Sequence, residues 1–194
     1  MNIKSNKISI LAGSLALALS NSVVAQTQVI HAGQLLAVPG EKPLNKQTIV
    51  IEDGKILSVE KGFLPASNFA NNATLIDLSK SFVMPGLMDM HVHLQTEFGA
   101  HNTQDTVQLS DADIAMQSVH FAKITLMSGF TTVRDLLSNP EQMYALRDGI
   151  NKGWIEGPRI IAGAGVSITG GHLDVDGMSP DMLDIKSSET ICDG

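Results

Sequence analysis

Two histidines one residue apart, His91 and His93, close the run Phe-Val-Met-Pro-Gly-Leu-Met-Asp-Met-His-Val-His-Leu that occupies residues 82–94. Residues two apart on a β-strand share a face, so both imidazoles can project together while Val92 packs on the other side. Such a pair can hold a divalent ion, and a held ion can acidify water or polarise a carbonyl. With six histidines in 194 residues the spacing is weak by itself. It gains weight from the apolar strand that leads into it and from the segments that follow. Asp89 alternates in register with the pair and reads as a partner that orients an imidazole rather than as a ligand. Arg134 and Asp135 fall at a later strand end, where an ion pair or loop hydrogen bonds explain them as well as a site role does. His120 reads as structural, and His31 and His101 suggest no role.

The elements that must position these groups alternate in type. A strand at 87–93 follows the approach 82–84, with Pro85-Gly86 interrupting the run. After a loop at 95–109, Ser110 and Asp113 have the spacing of a helix cap, and the helix runs to about Met127 with Ala115, Val119, Ala122 and Leu126 on one face. Gly129 ends it, and 130–136 reads as a buried strand. Asn139-Pro140 opens a second helix with Met143, Leu146 and Ile150 inward and Gly153 at its close. A third strand, 159–164, follows Gly157-Pro158. Strand, helix, strand, helix, strand predicts an α/β fold with a parallel sheet, the strands lying side by side through right-handed crossovers. Ahead of it, residues 28–32, 34–38, 48–52, 55–60 and 74–78 read as short strands of a β module, with Asp53-Gly54 as a two-residue hairpin turn. The glycine-rich run 163–171 matches no phosphate-binding spacing, which argues against nucleotides.

Composition narrows the compartment and the partners. A formal net charge of −7 and a pI near 5.2 disfavour nucleic acid, for which a basic patch is needed. Lys4 and Lys7 precede an apolar run at 8–19, and Val23-Val24-Ala25 supplies small residues before Gln26, which together predict a secretory signal peptide over 1–25. The apolar core is too short to span a bilayer comfortably, so no stable membrane insertion is expected after cleavage. The lone Cys192 can form no internal disulfide, and an exported protein of this kind suits a periplasm or secretion.

Three stretches carry a resemblance: Ile51-Glu52-Asp53-Gly54-Lys55-Ile56, then Val83 onward through Pro85-Gly86-Leu87-Met88-Asp89-Met90-His91-Val92-His93, then Gly129-Phe130-Thr131-Thr132-Val133-Arg134-Asp135. Together they resemble the amidohydrolase superfamily, in its imidazolonepropionase-like and Xaa-Pro dipeptidase-like branch. The resemblance implies a β-sandwich part at 26–80 and the first three units of an incomplete TIM-like (β/α) barrel at 81–194. It implies that His91 and His93 bind a divalent metal, commonly zinc. The family's other ligands, a lysine, two histidines and an aspartate from later strands, would lie beyond Gly194. His172 becomes a substrate-contact candidate, although Leu173-Asp174 stands where the family has Gly-Asp. The implied chemistry is hydrolysis of a C–N bond in an amide, cyclic amide or Xaa-Pro dipeptide: the ion lowers the pKa of a water that attacks the carbonyl, and a carboxylate moves the proton to the leaving nitrogen. The chain itself is expected to be an N-terminal fragment, inactive alone, with oligomerisation left open. The rival reading is a non-catalytic exported protein that binds a metal or a small molecule.

Overall fold

In the computed structural model, which describes residues 26–97, 99, 105, 108–136 and 138–163, the chain divides into two units, Met1–Met84 and Pro85–Gly194. The expected signal peptide, His101, His172, Cys192 and the glycine-rich run past Gly163 lie outside the described residues.

The first unit is a four-stranded sheet built from β1 (Thr27–Leu35), β2 (Leu44–Glu52), β3 (Lys55–Lys61) and β4 (Thr74–Val83), in the order β3-β2-β1-β4. β1 runs antiparallel to β2 and parallel to β4. The β2–β3 turn is as expected: Asp53 and Gly54 both take positive φ, 50° and 74°, and Glu52 pairs with Lys55. Two expectations are corrected. Residues 28–32 and 34–38 are not two strands, because Gly33 between them is not a break. A Cβ at Gly33 would collide with the Ser79 carbonyl of β4, so the glycine permits close approach where the β1–β4 register shifts between Ala32 and Gln34. β4 continues past residue 78 to Val83, whose carbonyl accepts the Leu36 amide at 2.9 Å. Ala32, Leu35 and Ile49 form the buried centre, with Ile30, Ile51 and Val83 packed against it.

The second unit is a three-stranded parallel sheet, β5 (Leu87–Val92), β6 (Phe130–Asp135) and β7 (Arg159–Ala162), in that order. Helix α1 (Asp111–Met127) connects β5 to β6, and α2 (Pro140–Asn151) connects β6 to β7. The predicted caps form. The Ser110 side chain accepts the Asp113 amide while the Asp113 carboxylate accepts the Ser110 amide, and Asn139 caps α2 with Pro140 in its first turn. Ala122, Val133, Met143, Leu146, Ile160 and Leu94 make one core, against which Val92, Val119 and Ile150 pack. α1 also buries Ser118, whose hydroxyl donates to the Ile114 carbonyl at 2.8 Å and so needs no apolar substitute on that face. Strand β6 is buried on one face only, contrary to the reading of 130–136 as buried throughout. Val133 and Asp135 point into the core, whereas Thr131 and Arg134 are exposed.

Candidate metal centre

β5 delivers His91 and His93 to the C-terminal edge of the parallel sheet, where the crossing chain leaves the strand. Their rings lie edge to face, with centroids 5.2 Å apart and planes at 80°. The expected shared projection is therefore present, and alternation over residues 91–94 accounts for it, but the alternation does not extend back to Asp89. Asp89 pairs with Val133 and Val92 with Asp135, so β5 carries one residue more than β6 between these points, a β-bulge at Met90-His91. Asp89 consequently lies on the face of core residue Val133, and Val92, three residues later, lies on that face too. His91 falls on the exposed side. This corrects the placing of Asp89 in register with the two histidines. Its Oδ1 accepts the main-chain amide of His91 at 2.9 Å and so orders the strand, not an imidazole.

His93 is held more closely. Its Nδ1 is 2.7 Å from the Leu136 carbonyl oxygen. A carbonyl can only accept, so Nδ1 carries the proton and Nε2 carries the lone pair that a metal would take. A backbone carbonyl on the second ring nitrogen is the usual way a histidine ligand is oriented.

The adjoining strand end supplies Asp135, which is 0% exposed. Its Oδ2 accepts the Leu94 amide at 2.6 Å, its main-chain carbonyl accepts the Gly163 amide at 2.8 Å, and Oδ1 has no hydrogen-bond partner among the described residues. Burial pushes its carboxyl above the ordinary value of 3.8. The Ser138 hydroxyl, the Leu94 amide, the nearby His93 and the Ser138 amide pull it back, although Ser138 does not reach hydrogen-bond geometry with either oxygen. Arg134 turns the other way, its Nε donating to the Met90 carbonyl at 2.7 Å. Neighbours in sequence, Arg134 and Asp135 thus occupy opposite faces and serve as backbone hydrogen-bonding groups rather than as an ion pair. Gln95 ties the segment after His93 to α2, accepting the Asn139 amide at 2.6 Å and donating to Gln142 Oε1 at 2.9 Å. Sequence reasoning gave Gln95 no role. A polar residue two positions past a ligand candidate was its only signal.

Among the described residues, this edge offers two nitrogen donors. No group of three His, Cys, Asp or Glu side chains able to hold an ion occurs among the described residues. The fit to a divalent metal is therefore good in ligand type and in the orientation of His93, and short in number, since a catalytic zinc keeps three protein ligands. His120 lies exposed on α1, beside Phe121. His31 is in the first unit, where its Nε2 faces the Leu64 carbonyl at 2.8 Å and its ring stacks on Phe63.

A family model described as the amidohydrolase family matches residues 82–190, more than half of the chain and all of β5 through β7. The chain belongs to the amidohydrolase family. Among curated relatives, this amidohydrolase is 30% identical over 95 residues to the dihydroorotase of Bacillus thuringiensis (strain Al Hakam), covering 49% of the chain and 20% of that enzyme. Among solved structures it is similar to a Xaa-Pro dipeptidase with methionine bound in the active site, at 36% identity and a TM-score of 0.71, covering 80% of this chain and 38% of that one. It is also similar to a prolidase complexed with N-methylphosphonate-L-proline, at 25% identity and a TM-score of 0.66, over 86% and 40% of the two chains. The chain thus spans well under half the length of each of these relatives.

Proposed function

We propose that this chain is the N-terminal part of an exported, metal-dependent hydrolase of C–N bonds, in which His91 and His93 are two of the metal ligands. The observation that carries the reading is the His93 ring, fixed by the Leu136 carbonyl with its lone pair on Nε2 and set edge-on to His91 at a strand end inside the family-matched segment. A divalent ion there, zinc in this reading, supplies Lewis acidity toward a water and a carbonyl. The chain's own residues do the holding: Leu136 orients His93, Asp89 holds the main chain at His91, and Gln95 anchors the exit loop.

The three parallel strands are read as the first units of a TIM-like (β/α) barrel, and the four-stranded sheet as part of a β-sandwich. A parallel sheet is ordinarily covered on both faces. Here α1 and α2 cover one, while the other carries Met88 at 70% and Ile161 at 47% exposure, a face that further barrel strands would enclose. A metal site completed by later strands also explains why two donors suffice at this edge. Of the substrate classes, Xaa-Pro dipeptides are favoured, since the Xaa-Pro dipeptidase is more similar, over more of the chain, than the dihydroorotase. His172, which follows β7 in the sequence, is the proposed substrate contact on the strength of the family resemblance.

Metal content measured by elemental analysis tests the assignment. His91→Ala and His93→Ala should each lose most bound zinc without unfolding, because both stand at a strand end rather than in the core. Asp89→Asn should lose less. Undiminished metal in the His91→Ala protein would overturn the reading. The 194-residue chain alone is expected not to hydrolyse Xaa-Pro dipeptides, and a chain extended by the remaining β/α units is expected to do so.

A further inference from the structure

Why the two histidines share a side of the sheet is one question, and which side they take is another. Alternation answers the first. For the second, Asp89 pairs with Val133 on the core face, so a strand continuing regularly from Asp89 would set His91 beside Asp135 and turn both imidazoles toward the helices. Instead, Met90 and His91 together face the single residue Arg134, and Val92 takes the place beside Asp135. The histidines thereby come out on the open face, which also carries Met88 and Ile161.

A bulge takes main-chain groups out of the ladder, and such groups need other partners. Neither Met90 nor His91 has a paired residue on β6. The His91 amide donates to Asp89 Oδ1 at 2.9 Å, and the Met90 carbonyl accepts from Arg134 Nε at 2.7 Å. These are the two ends of one peptide group. Its N–H is taken by a carboxylate on the core face and its C=O by a guanidinium on the open face, from the very residue that the bulge opposes. Rotation of that peptide plane changes ψ of Met90 and φ of His91, and so the direction in which the His91 side chain leaves the strand. A plane gripped at both ends resists the rotation.

We infer that Asp89 and Arg134 are positioning residues for His91: holding the Met90–His91 peptide from opposite faces of the sheet, they maintain the bulge that presents the histidine pair on the open face. The purpose of the grip rests on the proposed reading of His91 and His93 as metal ligands; the grip itself does not. Arg134 acts in this role through one N–H, so a neutral donor at the same distance can replace it.

The test uses the whole chain, with and without metal. Arg134→Met keeps an unbranched stem and lacks the donor, whereas Arg134→Gln places Nε2 the same number of bonds from the backbone as the arginine Nε. Arg134→Met is expected to speed hydrogen exchange of the His91 amide, with the amide of core residue Val133 unchanged, and to weaken cobalt(II) binding about 10–100-fold. Arg134→Gln should stay near wild type in both. Asp89→Ala should behave as Arg134→Met does. Wild-type protection of the His91 amide in Arg134→Met overturns the inference, and so does wild-type cobalt affinity in that variant. A loss in Arg134→Gln equal to that in Arg134→Met also overturns it, since the positive charge would then be the working feature. If Arg134→Met does not fold, scalar coupling across the hydrogen bond from Arg134 Nε to the Met90 carbonyl carbon in the wild type decides: its presence, with wild-type behaviour of Arg134→Gln, supports the grip, and its absence overturns it. Failure of the wild type to bind cobalt would defeat the ligand reading and leave His91 exchange to judge the grip.

Discussion

Gly86 carries no side chain because the space beside its α-carbon is taken: a Cβ there would overlap the Thr131 side chain. Thr131 is the residue by which β6 exceeds β5 between the pairs Leu87 with Phe130 and Met88 with Thr132, so the glycine makes room for a bulge on the neighbouring strand. Gly86→Ala should destabilise the protein by about 1–3 kcal/mol, the range for overpacking. Adding Thr131→Gly should recover a large part of that loss, because the colliding atoms all belong to the threonine side chain. Chemical denaturation of the two single variants and the double checks this, and simple additivity of the two costs would speak against it. The sequence alone shows Pro85-Gly86 as an interruption and cannot show the packing reason, which lies 45 residues away at Thr131. The same division separates the histidines from Asp89. His91 and His93 are legible as a pair since any extended segment brings i and i+2 together. The side taken by Asp89 depends on a bulge that pairing creates and composition does not announce.

Helix α1 was readable at both ends because its signals are local. Ser110 and Asp113 cap each other across three residues, and Gly129, at φ 96°, follows the C-terminus. Ser110→Ala should cost about 1 kcal/mol. The cap also carries a pH dependence. Hydrogen bonds from the Ser110 side chain and amide hold the Asp113 carboxyl below its ordinary value of 3.8. A group lowered on folding contributes stability that is present above the unfolded value and is lost as pH falls through the folded one. Acid should therefore loosen the first turn of α1 only below pH 3.8. Carbon-detected titration of Asp113 together with hydrogen exchange of the first-turn amides should show both changes in that window in the wild type, and Ser110→Ala should move the carboxyl midpoint upward. Strands were less legible than helices. β1 looked broken at Gly33, and β4 looked five residues shorter than it is, because a strand's extent is decided by its partner.

At the scale of the whole molecule, the α/β class and the order of strands and helices followed from alternating periodicity, since each unit of the second half is short and locally punctuated by glycine and proline. The parallel pairing of β1 with β4 was not foreseen, as it joins segments separated by a hairpin and a loop. The exported state proposed above rests on the first 25 residues. Among the described residues no helix is long and apolar enough to cross a membrane. Intact-mass analysis of the exported protein is expected to give a mature chain beginning at Gln26, and a product retaining Met1 would refute cleavage.

The bulge at Met90-His91 has a consequence for parity. Upstream of it, the odd-numbered Asp89 shares the core face of β5 while the even-numbered Met88 looks out; downstream, the even-numbered Val92 and Leu94 face the core and the odd-numbered His91 looks out. A single strand is thereby split into two segments with opposite assignments of inside and outside. The residues that seat the strand and those that form its working end answer to separate alternations, so either set can be resequenced without rephasing the other.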